Sequence, residues 1–188
     1  MRQEHSRSWD RANLLSRPEH IERRCKAIEY LSSQWPAYPQ MRFEIKGTKL
    51  IRSQEWIADG RSIHRGGDEH AWMRLAEALE AKDDLGLVHG DLCVRNIIWS
   101  KERGCCVAVD WEPDLVQVMG NQRVSKVTKG YVHPDDWGTS EPFSLKSDRY
   151  AFIRCLEQVV KAKQVPNRDD LLDFSYRDLV KYYFRNSN

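Results

Sequence analysis

Apolar positions along the chain switch between a helical period and strict alternation, and each switch marks an element. Ile21, Cys25, Ile28 and Leu31 recur every three or four residues, which predicts a helix with one apolar face. Ser16, with Pro18 in the first turn and Glu19 three residues on, supplies its start, and Pro36 its stop. Residues 1–15 are polar, basic and weakly patterned, so they read as an arm or a short irregular helix. Met41, Phe43 and Ile45 then alternate with polar residues, Gly47 and Thr48 turn the chain, and Leu50 to Trp56 returns as a partner strand. Asp68 is placed to cap a second helix with Trp72, Leu75, Ala76 and Leu79 on one face, running to Gly86. Two short β-branched, apolar runs, Asn96 to Trp99 and Cys106 to Val109, flank the turn Lys101-Glu102-Arg103-Gly104 and predict a hairpin. Further on, Phe152, Ile153, Leu156, Val159 and Val160 fit a buried helix, and Asp169 to Phe184 reads as one amphipathic helix or two short ones.

At 188 residues the chain has the length of one domain or a small two-lobed one. A net charge of +2 argues against a dedicated nucleic-acid surface, and no apolar run is long enough to span a bilayer. The first residues, MRQEHSRSWDR, lack the apolar segment of a signal peptide. Five scattered cysteines without a C-x-x-C pair fit free thiols in a reducing cytoplasm rather than a disulfide framework or a zinc site. Cys93 reads as one of these thiols and not as a nucleophile, since the sequence places no base beside it.

The predicted hairpin brings Asp91 and Asp110 to one end, with the amide of Asn96 on the same short links. Hard cations such as magnesium prefer oxygen ligands and keep part of their water, so two or three such side chains suffice beside a phosphate chain. A carboxylate left free of the metal can accept a proton from an attacking hydroxyl. Asp, Gly and Asn are also common at strand ends for local reasons, but that does not account for the ordered set.

His89-Gly90-Asp91-Leu92, three residues, Asn96, and then Val109-Asp110-Trp111 resemble the catalytic loop and metal-binding triplet of the protein-kinase-like superfamily. The resemblance implies an α+β, protein-kinase-like fold with a mostly helical large lobe and a truncated small lobe. Residues 1–57 would form the small lobe from the arm, the C-helix and its hairpin, and residues 58–188 the large lobe. It implies ATP and Mg2+ as cofactors, Asp91 as base, and Asn96 and Asp110 as metal ligands. Glu55-Trp56-Ile57-Ala58-Asp59-Gly60 resembles the hinge, where the Glu55 carbonyl and the Ile57 amide would face adenine. Thr128-Lys129-Gly130-Tyr131-Val132-His133-Pro134-Asp135 resembles the end of a serine/threonine-kinase activation segment, with Val127 in place of a Gly and Asp135 of a Glu. Leu145 to Phe152 is similar to the start of the central large-lobe helix, where Asp148 would hold the catalytic loop from beneath.

The same likeness gives Arg95 a γ-phosphate role, because Cys93 stands where serine/threonine kinases use a Lys. Thr128 would contact Asp91, which favours a protein substrate with an acceptor Ser or Thr. Gly90 replaces an Arg that reads activation-loop phosphate, so no such requirement is expected.

The glycine-rich flap is absent, since the first glycine is Gly47, beyond the C-helix. Too few residues precede Ser16 for three strands and their turns. The phosphate-binding lysine has no counterpart, although Glu19, Glu22 or Glu29 could have been its partner. Its loss raises the barrier by several kcal/mol. A partner chain completing the small lobe, a different cation, or nucleotide binding without turnover would each reconcile this loss with the retained loop. The last of these makes the chain a pseudokinase and docking module. A third reading is a small-molecule kinase like the aminoglycoside phosphotransferases, which also show H-G-D-x-x-x-x-N and often an acidic residue after the second Asp, as in Asp110-Trp111-Glu112. It stands behind the others because the Gly-Tyr-x-x-Pro-Asp segment is not expected there.

Overall fold

The computed structural model describes residues 2–8, 18–46, 49–63, 67–111, 128, 130–136, 144–160 and 167–187. Ser16, Gly47, Thr48, Glu112, Val127 and Lys129 lie outside them, and for Glu19 and Ile21 only the backbone is described.

Two three-stranded antiparallel sheets organise the chain. The upper one has the order β1–β3–β2, from β1 (Arg2–Ser8), β2 (Met41–Lys46) and β3 (Lys49–Glu55). The helix α1 (Pro18–Gln34) precedes β2 and buries Cys25, Ile28 and Leu31, the face its periodicity predicts. Its Glu29 accepts the Phe43 N–H at 2.7 Å and its Ser32 accepts the Met41 N–H at 3.2 Å, fastening helix to strand.

The strand at Arg2–Ser8 corrects the expected arm or irregular helix. It pairs with β3 along its whole length, from Arg2 opposite Glu55 to Ser8 opposite Lys49. A stretch reading RQEHSRS carries no apolar alternation, so the partner strand's backbone, not local propensity, dictates its conformation.

The lower sheet has the order β4–β5–β6, from β4 (Arg61–Ser62), β5 (Ile97–Ser100) and β6 (Cys105–Ala108). The last two form the expected hairpin, with Trp99 opposite Cys106. Beneath it lie α2 (Glu69–Asp84), α3 (Leu145–Val160) and α4 (Tyr176–Arg185). Asp68 caps α2 through the Ala71 N–H at 2.9 Å. Trp72, Phe152 and Tyr176 stack edge to face in the core, with centroids 5.6 and 5.2 Å apart. The C-terminal stretch divides into a 3-10 turn, Arg168–Leu171, and α4, capped by Ser175.

The two sheets are sewn together by side-chain and backbone contacts. Arg103, in the β5–β6 turn, donates to the carbonyls of Pro36 and Tyr38, both at 3.0 Å, and to Glu55 at 2.6 Å. The Ala108 N–H reaches the Ala37 carbonyl at 2.9 Å. The five cysteines are free and buried. Among the described residues no helix is long and apolar enough to cross a membrane.

Candidate active site

The site begins with a buried ionic support. Lys82, at the end of α2, is fully buried and donates to Asp148 at 2.8 Å, Asp83 at 2.6 Å and the Leu87 carbonyl at 2.9 Å, which satisfies all three of its N–H groups. Asp148, at the start of α3, also accepts the His89 N–H at 2.6 Å and the Gly90 N–H at 3.1 Å. The backbone of the His89–Asp91 loop thus hangs from one carboxylate. Burial pushes the Asp148 carboxyl up, but the Lys82 charge and the donated N–H groups outweigh it and hold it below the usual carboxylate value. Asp83 shifts the other way, raised by burial.

His89 is buried against Trp111, ring centroids 5.1 Å apart, and its Nδ1 accepts the Asp91 N–H at 3.4 Å. Burial lowers its pKa, so it is neutral at neutral pH and acts as a packing and loop-shaping residue.

Asp91 is held from both sides. Thr128 donates its hydroxyl to Oδ1 at 2.8 Å, and the Asn96 amide donates to Oδ2 at 3.0 Å and to the Asp91 carbonyl at 2.8 Å. Arg95 is exposed and reaches the Thr128 hydroxyl at 3.4 Å. Asp91, Arg95, Asn96 and Thr128 therefore form one hydrogen-bonded group. Cys93 lies beneath it, buried, with its Sγ 3.8 Å from the Thr128 hydroxyl.

Asp110 joins through the backbone, because the Val109 N–H donates to the Asn96 carbonyl at 2.8 Å. Its φ of 60° puts a non-glycine residue in the left-handed region, a conformation that surrounding contacts must impose. Those contacts come from β3. Gln54 accepts the Asp110 N–H at 3.4 Å, and Arg52 donates to Asp110 Oδ1 at 2.9 Å and to the Trp111 carbonyl.

The donors suit a hard divalent cation. With Asn96 donating its N–H groups to Asp91, its carbonyl oxygen accepts nothing among the described residues, and neither does Asp110 Oδ2. Two oxygens on adjacent segments fit magnesium, which keeps several waters and completes its shell with phosphate oxygens. Among the described residues no group of three or more His, Cys, Asp or Glu is placed to hold a metal. Such a cage is not what magnesium beside a nucleotide uses.

At the hinge stretch, the Ile57 N–H has no partner among the described residues. The Glu55 side chain turns away to Arg103 and to the Gln40 N–H at 2.9 Å. Burial raises the Glu55 carboxyl, but these donors outweigh it and hold the group below its ordinary value.

Sequence reading missed Lys82, Arg52 and Gln54. Lys82 did leave a signal, since it falls three residues after Leu79 on the buried stripe of α2, where a lysine requires partners. Arg52 and Gln54 sit on a strand whose side chains gave no hint of what they face.

The fold is that of protein kinases. The chain superposes on the PknI kinase domain of Mycobacterium tuberculosis, a double mutant, with a TM-score of 0.58 at 12% identity, covering 100% of this chain and 85% of that one. It superposes on the kinase PK-1 of Cydia pomonella granulovirus with a TM-score of 0.55 at 15% identity, covering 82% of this chain and 62% of that one. The matched part thus spans less than two thirds of the viral kinase. No curated protein matches the sequence. The family model described as "Phosphotransferase enzyme family" (APH) matches residues 8–113, which include the loop from His89 to Asn96 and Asp110 itself. The chain belongs to this phosphotransferase family and has the protein-kinase-like fold.

Proposed function

We propose that the chain is an ATP- and magnesium-dependent phosphotransferase acting on a hydroxyl, with Ser or Thr of a protein as acceptor. The observation that carries this is the Thr128–Asp91–Asn96 hydrogen-bonded group. A carboxylate fixed through both oxygens beside a threonine is positioned to take the proton of an incoming hydroxyl. Asn96 and Asp110 would hold magnesium, whose chemistry when bound is to neutralise charge on the phosphates. The Ile57 N–H and the Glu55 carbonyl would read the adenine edge, and Arg95, which reaches the Thr128 hydroxyl at 3.4 Å, would offset charge on the transferred group. A partner supplying further strands to the upper sheet belongs to this reading, since β1 is an edge strand among the described residues.

One observation favours a second acceptor class. The matching family model covers the H-G-D loop, which this chain shares with small-molecule phosphotransferases. Transfer from γ-labelled ATP, assayed against generic Ser/Thr protein substrates and against sugars and aminoglycosides, separates the two. Asp91→Asn is expected to lower turnover by about 10²- to 10⁴-fold while nucleotide binding persists. Activity surviving both Asp91→Asn and Asp110→Asn would end the assignment. Nucleotide binding without turnover against any acceptor would favour a docking module.

A further inference from the structure

Kinase-fold enzymes take the charge that meets the α- and β-phosphates from a strand lysine paired with a helix glutamate. The glutamates of α1 with described side chains are engaged elsewhere. Glu22 pairs with Lys26 at the surface, 2.7 Å apart, and Glu29 holds the Phe43 N–H. Among the described side chains of the upper sheet, the cation that reaches Asp110 is Arg52. We propose that Arg52 is the phosphate-binding cation of this site, positioned by Asp110 instead of by a helix glutamate. The proposal rests on the nucleotide reading above.

Three features carry it. The first is placement. Arg52 and Gln54 are two apart on β3 and so share a face, and both contact Asp110, which shows that this face looks onto the metal-ligand end of the cleft. Arg52 also precedes Glu55, where the hinge stretch begins, by three residues, a span on the order of 10 Å along a strand.

The second feature is exposure. The Arg52 side chain is only 12% exposed whereas that of Asp110 is 51% exposed, so the guanidinium sits behind a carboxylate that opens toward solvent. A cation at that depth is little screened by water, so it offsets the charge of Asp110 and, with a magnesium ion bound there, would act on the phosphates beside it.

The third is donor capacity. Among the described residues Arg52 uses two N–H groups, on Asp110 and the Trp111 carbonyl, out of the five in a guanidinium. The remaining donors lie in one plane, the geometry that matches phosphate oxygens. If Arg52 served only to brace Asp110, the proposed magnesium ligand, losing it would weaken ATP in magnesium and leave ATP in EDTA unchanged.

Calorimetric titration of the full chain with adenosine in magnesium, and with ATP in magnesium and in EDTA, tests this. Arg52→Gln is expected to weaken ATP about 10- to 100-fold in both buffers, as for loss of a charged hydrogen bond, and to leave adenosine within about twofold. Arg52→Lys is expected to lie between Arg52→Gln and the wild type. Equal weakening of ATP and adenosine, weakening of ATP in magnesium alone, or no weakening of ATP where the wild type binds it, overturns the role of Arg52 and leaves the nucleotide reading standing. A wild-type chain that binds neither ligand overturns the nucleotide reading, and this proposal with it. Should Arg52→Gln lose its cooperative melt, Arg52→Lys decides alone. Weaker ATP in both buffers with unchanged adenosine supports the role, and any other pattern overturns it.

Discussion

Gly90 has a φ of 83°, and its N–H is one of the two that Asp148 receives, so the residue between His89 and Asp91 is in a backbone state that side chains disfavour. This gives a physical reason for a glycine where related loops carry arginine. Gly90→Ala is expected to cost about 1–2 kcal/mol, read as a lower urea midpoint with an unchanged slope. The loop was legible in the sequence because Asp, Asn and a second Asp at fixed spacing are a chemical set that local turn preferences do not produce together. Arg52 was not legible. A strand arginine looks solvated until the sheet is placed over Asp110, and the pairing spans 58 positions of sequence.

Among the elements, α1 and α2 could be read from apolar spacing because each buries one face, and the β5–β6 hairpin from two short apolar runs about a turn, β6 being buried on both faces. The first strand and β4 could not. Arg2–Ser8 has no apolar pattern, and Arg61–Ser62 is two residues long and exposed on both. Both exist because neighbouring strands offer unpaired backbone groups. The junction of α2 with α3 makes its own prediction. Lys82→Met leaves the Asp83 and Asp148 carboxylates buried without their shared cation, at a cost of about 3–5 kcal/mol. The loop they support should then lose amide-exchange protection at His89 and Gly90 before the helices do.

For the whole molecule the buried ionisable groups set the response to acid. The pKa of His89 is lowered from 6.5 and that of Asp148 from 3.8, so in each case the unfolded chain takes up the proton first as pH falls. Stability is therefore expected to drop once below about 6.5 through His89, and again below 3.8 through Asp148. Asp83, raised above 3.8, opposes this, because its protonation in the folded state relieves a buried charge in the window just above that value. Urea midpoints followed by tryptophan fluorescence across this range should resolve the two declines, and His89→Gln should erase the upper one while leaving the lower.

Arg103 grips the Pro36 and Tyr38 carbonyls and the Glu55 carboxylate from the tip of the lower hairpin. Any opening of the two sheets would have to keep the hairpin tip and Glu55 in step, and would also have to part Arg52 from Asp110. The contact belongs to a turn whose composition, Lys101-Glu102-Arg103-Gly104, suggests nothing beyond a reversal of direction, and yet it fastens the lower hairpin to the chain entering and leaving the upper sheet.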